Sequence, residues 1–132
     1  MSSVLDASAL LAYLRREPGE DKVAGAMSDG LAMSTVNLAE VLAKLADTGV
    51  DPEQARATLV RRGILGGALT VEPFTEADAL VSAQLRPLTS AAGLSLGDRA
   101  CLALAARLGL PALTSDRAWA RLHLQLEVEV IR

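Results

Sequence analysis

The sequence predicts an α/β domain built on a largely parallel sheet, and two observations carry that prediction. Short apolar runs alternate with longer stretches of helical periodicity along the chain, which is the rhythm of successive strand–helix units. The helical stretches are also punctuated by their own start and stop residues. Ser3-Val4-Leu5 reads as a strand followed by a helix from Ala7 to Arg15, and Leu31-Ala32-Met33 as a strand followed by a helix from Asn37 to Asp47. In Asp51-Pro52-Glu53 a capping carboxylate precedes a proline at the first helical position, and Gly63 closes that helix. Leu69-Thr70-Val71 is a third strand, and Thr75-Glu76-Ala77-Asp78 opens a helix running through Leu85.

The Ser-, Thr- and Gly-rich stretch from Leu88 to Gly97 reads as a loop near a site. A helix from Gly97 to Leu108 stops at Gly109, and Pro111-Ala112-Leu113 forms a further strand. A helix after Asp116 and a closing strand Val128-Glu129-Val130-Ile131 complete the order. No repeat, low-complexity tract or long linker divides the chain, so one domain over residues 1–132 is expected.

A hydrophobic content of 51% in 132 residues is ample for one core. The formal charge of −3 excludes a globally basic nucleic-acid binder, so any such contact must come from local arginines. The single cysteine, Cys101, lies in the apolar run Ala100 to Ala105 and reads as a core thiol in a reducing compartment. The first residues lack a basic segment, and no apolar stretch reaches roughly 18 residues, so neither a signal peptide nor a membrane span is expected. The expected location is the cytoplasm.

Four acids carry the chemistry: Asp6, Glu40, Asp98 and Asp116. Singly, each has an ordinary structural role. Asp6 caps the helix at Ala7; Glu40 completes a capping box with Asn37 and pairs with Lys44; Asp98 completes Ser95-Leu96-Gly97-Asp98; Asp116 caps the helix carrying Trp119. Together they follow a rule of open α/β sheets, which hold ligands at the carboxyl ends of their strands. Asp6 directly follows Val4-Leu5, Asp116 follows Ala112-Leu113-Thr114, and Glu40 lies in the first turns after Leu31 to Ser34. Asp98 starts a helix with no clear strand before it.

Converging carboxylates repel: at about 4 Å a pair costs on the order of 1 kcal/mol in water and about 4 kcal/mol at an effective dielectric near 20. A cation must sit among them. Oxygen-only ligands select hard ions, so magnesium or manganese is expected and zinc is not. Such an ion suits phosphodiester hydrolysis by an activated water.

Other chemistries lack their parts. A Ser-His-Asp or Cys-His system would need His123, the only histidine, which reads as a surface or packing residue near the C-terminus. No glycine cluster matches a nucleotide-binding loop. An aspartyl-nucleophile phosphatase would carry a second Asp two residues after the first, yet position 8 is serine. A different class is a silent scaffold whose acids are only caps.

The segments Val4-Leu5-Asp6-Ala7-Ser8-Ala9-Leu10, Ser34-Thr35-Val36-Asn37-Leu38-Ala39-Glu40-Val41, Ser95-Leu96-Gly97-Asp98-Arg99-Ala100-Cys101-Leu102-Ala103 and Leu113-Thr114-Ser115-Asp116-Arg117-Ala118-Trp119 stand in this order. They resemble the four motifs of the PIN-domain ribonucleases, most closely the VapC-type toxins of toxin–antitoxin pairs. The resemblance covers nearly the whole chain. It implies a three-layer α/β/α sandwich with a central, mostly parallel sheet and a Mg2+-dependent endoribonuclease, with Mn2+ as a substitute. It also implies that Asp6 and Asp98 are the principal metal ligands, completed by Glu40 and Asp116. Ser8 and Thr114 look like hydroxyls that orient a ligand or phosphate, while Asn37 and Arg99 occupy positions where the family varies. The implied partners are RNA, a cognate antitoxin and a second copy of the chain, with no membrane.

Nearly all the positive charge is arginine, whose fork matches phosphate oxygens. Arg15, Arg86, Arg99, Arg117 and Arg121 lie on or near the acid-bearing segments and are the candidate RNA contacts, although ordinary solvation accounts for most such residues. With 2% aromatic residues, base stacking is not the main grip, and Trp119 is expected to pack beneath the fourth motif. Leu42, Leu45 and Leu59 read as core-facing helix stripes, with a partner groove as the alternative.

Overall fold

A computed structural model describes all 132 residues. Strands β1 (Ser3–Leu5), β2 (Leu31–Ser34), β3 (Leu69–Glu72), β4 (Ala112–Thr114) and β5 (Val128–Val130) form one sheet in the order β3-β2-β1-β4-β5. Every pairing is parallel, with Val4 opposite Ala32 on one side and Ala112 on the other. Helices α1 (Ala7–Leu14), α2 (Glu20–Met27), α3 (Thr35–Asp47), α4 (Pro52–Arg61), α5 (Glu76–Thr89) and α6 (Leu96–Leu108) cover the sheet.

Because strand side chains alternate between faces, one short strand feeds two cores. Leu5, Leu31, Met33 and Leu113 pack with Ala9, Leu10, Val23, Val41 and Leu59 of α1 to α4. Val4, Ala32 and Ala112 pack on the opposite face with Leu85 of α5, with Cys101, Leu102 and Leu104 of α6, and with Trp119. This is the three-layer α/β/α arrangement. The central strands β1 and β4 are buried on both faces, which is why they read as unbroken apolar runs. Truncating a fully buried residue such as Leu113 to alanine would cost about 2–5 kcal/mol.

Four sequence expectations need correction. Helix α2 was not anticipated: it buries only Val23, so it presents no apolar stripe to read. Its entry depends on Gly19, at φ +96°, where a side chain would also collide with Ile131. Helix α5 continues past Leu85 to Thr89 despite Pro87. The carbonyl deprived of a partner by that proline belongs to the exposed Ala83, so it is not buried. The supposed loop from Leu88 to Gly97 is therefore mostly helical, with a 3-10 turn at Ser90–Ala92 and left-handed Gly93 before α6. The helix after Asp116 is a short 3-10 segment, Arg117–Arg121.

The topology places the site. From β1 the chain winds outward through β2 and β3, then returns across β1 to β4 and β5. The winding reverses between β1 and β4, and a crevice opens at the carboxyl ends of those two strands. Asp6 follows β1 there, Ser34 passes directly from β2 into α3, and β4 delivers Thr114. No helix is long and apolar enough to cross a membrane.

Candidate active site

Asp6 is the N-cap of α1, and three donors meet its carboxylate. Oδ1 accepts from the Ala9 backbone N–H at 2.8 Å and the Ser8 hydroxyl at 2.7 Å, while Oδ2 accepts from the Thr114 hydroxyl at 2.5 Å. The two hydroxyls also tie the loop after β4 to this point, because Ser8 Oγ accepts from Ser115 N–H and Thr114 Oγ1 from Asp116 N–H. Ser8 and Thr114 thus both donate to the Asp6 carboxylate at the start of α1. Asp6 is 3% exposed. Burial pushes its pKa up to about 6; the bonds from Thr114, Ala9 and Ser8 oppose that rise, and the nearby Asp98 charge adds to it.

The other three acids come from separate elements. Asp98 is the third residue of α6, in a capping box: Ser95 N–H donates to Asp98 Oδ2 at 2.9 Å and Asp98 N–H donates to Ser95 Oγ at 3.2 Å. Asp116 accepts from Ala118 N–H through Oδ1 at 2.9 Å. Glu40 does not form the expected capping box, because α3 starts earlier, with Ser34 as the cap accepting from Val36 N–H. Instead Glu40 Oε1 accepts from the Asn37 side-chain amide at 2.8 Å.

Asp6, Glu40, Asp98 and Asp116 line one open cavity of about 220 Å³, together with Ser8 and Lys44. Their combined field extends below the floor: burial, then the charges of Asp6, Asp98 and Glu40, hold the Cys101 thiol well above its usual pKa. Asp6, Asp98 and Asp116 make the helix-start bonds expected of them, Glu40 does not, and all four line the cavity. Each acid spends one oxygen on a local bond, while Glu40 Oε2, Asp98 Oδ1 and Asp116 Oδ2 have no donor. Asp6 Oδ2 accepts one bond and keeps a lone pair.

This donor set fits a hard divalent ion, since every free atom is a carboxylate oxygen. No three acidic, histidine or cysteine side chains form a ready-made cage. An ion here would meet only one or two of these carboxylates directly and take its other ligands from water.

Two arginines are placed away from this chemistry. Arg99 is buried, 8% exposed, and donates to the Ser82 carbonyl of α5 at 3.1 Å. Arg117 donates to the Arg132 carbonyl at 3.3 Å. Neither lines the cavity, and Arg15, Arg86 and Arg121 do not line it either. The one cation there is Lys44, which makes no ion pair with Glu40 despite the favourable helical spacing. Its spacing of four residues from Glu40 and seven from Asn37 along α3 was the signal that placed it on the same face. His123 is exposed and Trp119 is buried beneath the fourth motif, both as expected.

The PIN-domain family model matches residues 3–123. The chain belongs to the PIN-domain family. This PIN domain shares its fold with several solved structures. One is a toxin–antitoxin complex from Klebsiella pneumoniae, with TM-score 0.74, 18% identity, and 99% of this chain and 98% of that chain covered. Another is DNA-bound VapBC from Salmonella typhimurium, with TM-score 0.71, 19% identity and coverage of 98% and 97%. A third is FitAcB from Neisseria gonorrhoeae, with TM-score 0.68, 22% identity and coverage of 96% and 95%. At these identities the likeness is one of fold. In sequence, no curated protein matches the chain.

Proposed function

We propose that this PIN domain is a divalent-metal-dependent endoribonuclease and the toxin of a toxin–antitoxin pair. The carrying observation is the convergence of Asp6, Glu40, Asp98 and Asp116 on one cavity, each from a different element. Acids serving only local bonds of their own helices have no reason to share a pocket and bear its repulsion. The full-length likeness to chains solved in toxin–antitoxin complexes supports the toxin role. The expected partners are a cognate antitoxin and a second copy of the chain, in the cytoplasm.

In this reading Asp6 and Asp98 would hold the ion, Mg2+ or Mn2+, with Glu40 and Asp116 completing the acidic pocket directly or through water. When bound, such an ion polarises a phosphoryl oxygen and lowers the pKa of a coordinated water. Ser8 and Thr114 keep Asp6 oriented as an acceptor. Where Asp116 meets the ion through water, its exposed carboxylate would accept a proton from that water. Lys44 offers the one positive charge at the pocket for a phosphate oxygen.

The test is cleavage of total RNA, and of single-stranded DNA as control, by purified protein with millimolar Mg2+ or Mn2+. RNA cleavage that vanishes with EDTA and in Asp98→Asn is expected. Cleavage persisting under both conditions contradicts the metal mechanism, and no cleavage of any RNA leaves the silent-scaffold reading standing. Growth arrest on expression, relieved by the co-expressed antitoxin, tests the toxin role separately.

A further inference from the structure

Glu40 lies on an unusual surface. Its carboxylate rests on the first turn of α6 at Gly97, where a methyl group would overlap all three carboxylate atoms. Gly97 is buried and has ordinary helical backbone, so it is the missing side chain, not a special φ, that the site requires here.

Asn37 completes the arrangement. It is fully buried, and its Nδ2 donates at 2.8 Å to Glu40 Oε1 and at 2.9 Å to the Gly97 carbonyl. Both neighbours are pure acceptors, so the amide can face them only through its nitrogen. The cost falls on the other end: Asn37 Oδ1 is buried with no partner. A buried acceptor left unpaired is expensive, and folds rarely keep one without return. Packing alone would be served better by an apolar residue at this position.

We propose that Asn37 and Gly97 form a latch that fixes the Glu40 carboxylate at the mouth of the acidic pocket, with Asn37 as a positioning residue acting through Glu40. The role rests on the metal-nuclease reading above. One Nδ2 hydrogen holds Oε1 and turns Oε2 free; the other fastens α3 to the start of α6, fixing the separation of Glu40 and Asp98. Gly97 provides the space in which the carboxylate sits. Asn37 touches neither substrate nor ion.

The experiment measures Mn2+ affinity by calorimetry and kcat and KM for RNA cleavage in the wild type, Asn37→Ala and Gly97→Ala, each also in a Glu40→Gln background. Thermal unfolding serves as the folding control. Asn37→Ala and Gly97→Ala are each expected to weaken Mn2+ binding and lower kcat about 10- to 100-fold, the usual loss when a residue orienting a metal ligand is removed. KM is expected to change little, and both losses are expected to shrink to within about twofold once Glu40 is glutamine. Gly97→Ala keeps its helix, since alanine is the better helix former, so it decides the matter if Asn37→Ala fails to fold. Wild-type Mn2+ affinity in Gly97→Ala, or losses of equal size with and without the Glu40 carboxylate, would overturn the latch. A wild type that neither binds Mn2+ nor cleaves RNA is a separate result: it removes the nuclease reading, and the latch with it.

Discussion

Asp6 and Asp78 are nearly matched in position and opposite in consequence. Both are aspartates at helix starts, Asp6 as the N-cap of α1 and Asp78 as the third residue of α5, and they are 3% and 2% exposed. At Asp78 burial again pushes the pKa up, but the Arg107 guanidinium, with Nε and Nη2 donating at 2.9 and 3.1 Å, and the Thr75 bonds outweigh it and hold the carboxyl below its usual range. At Asp6 the donors are neutral and the neighbouring charge is another carboxylate, so burial prevails. One acid has its cation built into the chain. The other is kept short of one at the crevice where α/β sheets take their ligands. Burial of a carboxylate marks nothing by itself; burial without a counter-charge, among other acids, is what the proposed metal-site reading rests on.

The sharpest way to break the comparison is by chemistry. Asp6→Asn is expected to reduce RNA cleavage by more than the roughly 100-fold typical of lost orienting residues. Asp78→Asn, which does not line the cavity, is expected to leave kcat of the folded protein within about twofold. Comparable losses in both, measured at a temperature where both are folded, would erase the distinction. Next in size is Thr114→Val, which removes a donor to Asp6 Oδ2 without changing side-chain shape; a kcat loss of about 10-fold or more is expected at neutral pH. An unchanged rate would mean that Asp6 needs no orientation from β4.

Arg107→Ala sharpens the structural side. It strands a buried carboxylate and removes a two-pronged charged contact, at an expected cost of about 1–3 kcal/mol in denaturant unfolding with cleavage retained. Smallest is Lys44→Ala, an exposed cation at the pocket: KM for RNA is expected to rise roughly two- to fivefold with kcat nearly unchanged. A kcat loss without a KM change would instead make Lys44 part of the chemistry.

What was legible in the sequence follows the range of the interactions. The strands were readable because β1, β2 and β4 are buried on both faces, and the caps because Ser95–Asp98 and Thr75–Asp78 are local bonds with fixed spacing. Asp6, Glu40 and Asp116 could be gathered because parallel topology sends strand ends to one edge, whereas Asp98 has no strand before it and joined them through the resemblance. Helix α2, burying only Val23, left no periodic trace. The direction of Arg99 was not legible either, since its partner is the Ser82 carbonyl on another helix. The same holds for Asn37: its link to Gly97 spans 60 residues and exists only once α3 and α6 are packed. Glu40 was misassigned to a capping box because β2 runs into α3 with no loop, moving the cap to Ser34.

The two aspartates also set opposite pH trends. With a folded pKa near 6 against 3.8 for the free group, Asp6 contributes stability fully below pH about 4 and loses it as the pH rises through about 6, on the order of 3 kcal/mol in total. Asp78, held low, contributes above its free pKa and loses that contribution as the pH falls through its folded value. The central claim is that the pocket at Asp6 carries charge awaiting an external cation, and the most direct test is denaturant unfolding of metal-free wild type, Asp6→Asn and Asp78→Asn at pH 7.5 and again at pH 4. The same substitution should act with opposite signs at pH 7.5, stabilising at position 6 and destabilising at position 78, with the gain at position 6 shrinking toward pH 4. Loss of stability in both variants at pH 7.5 would contradict it.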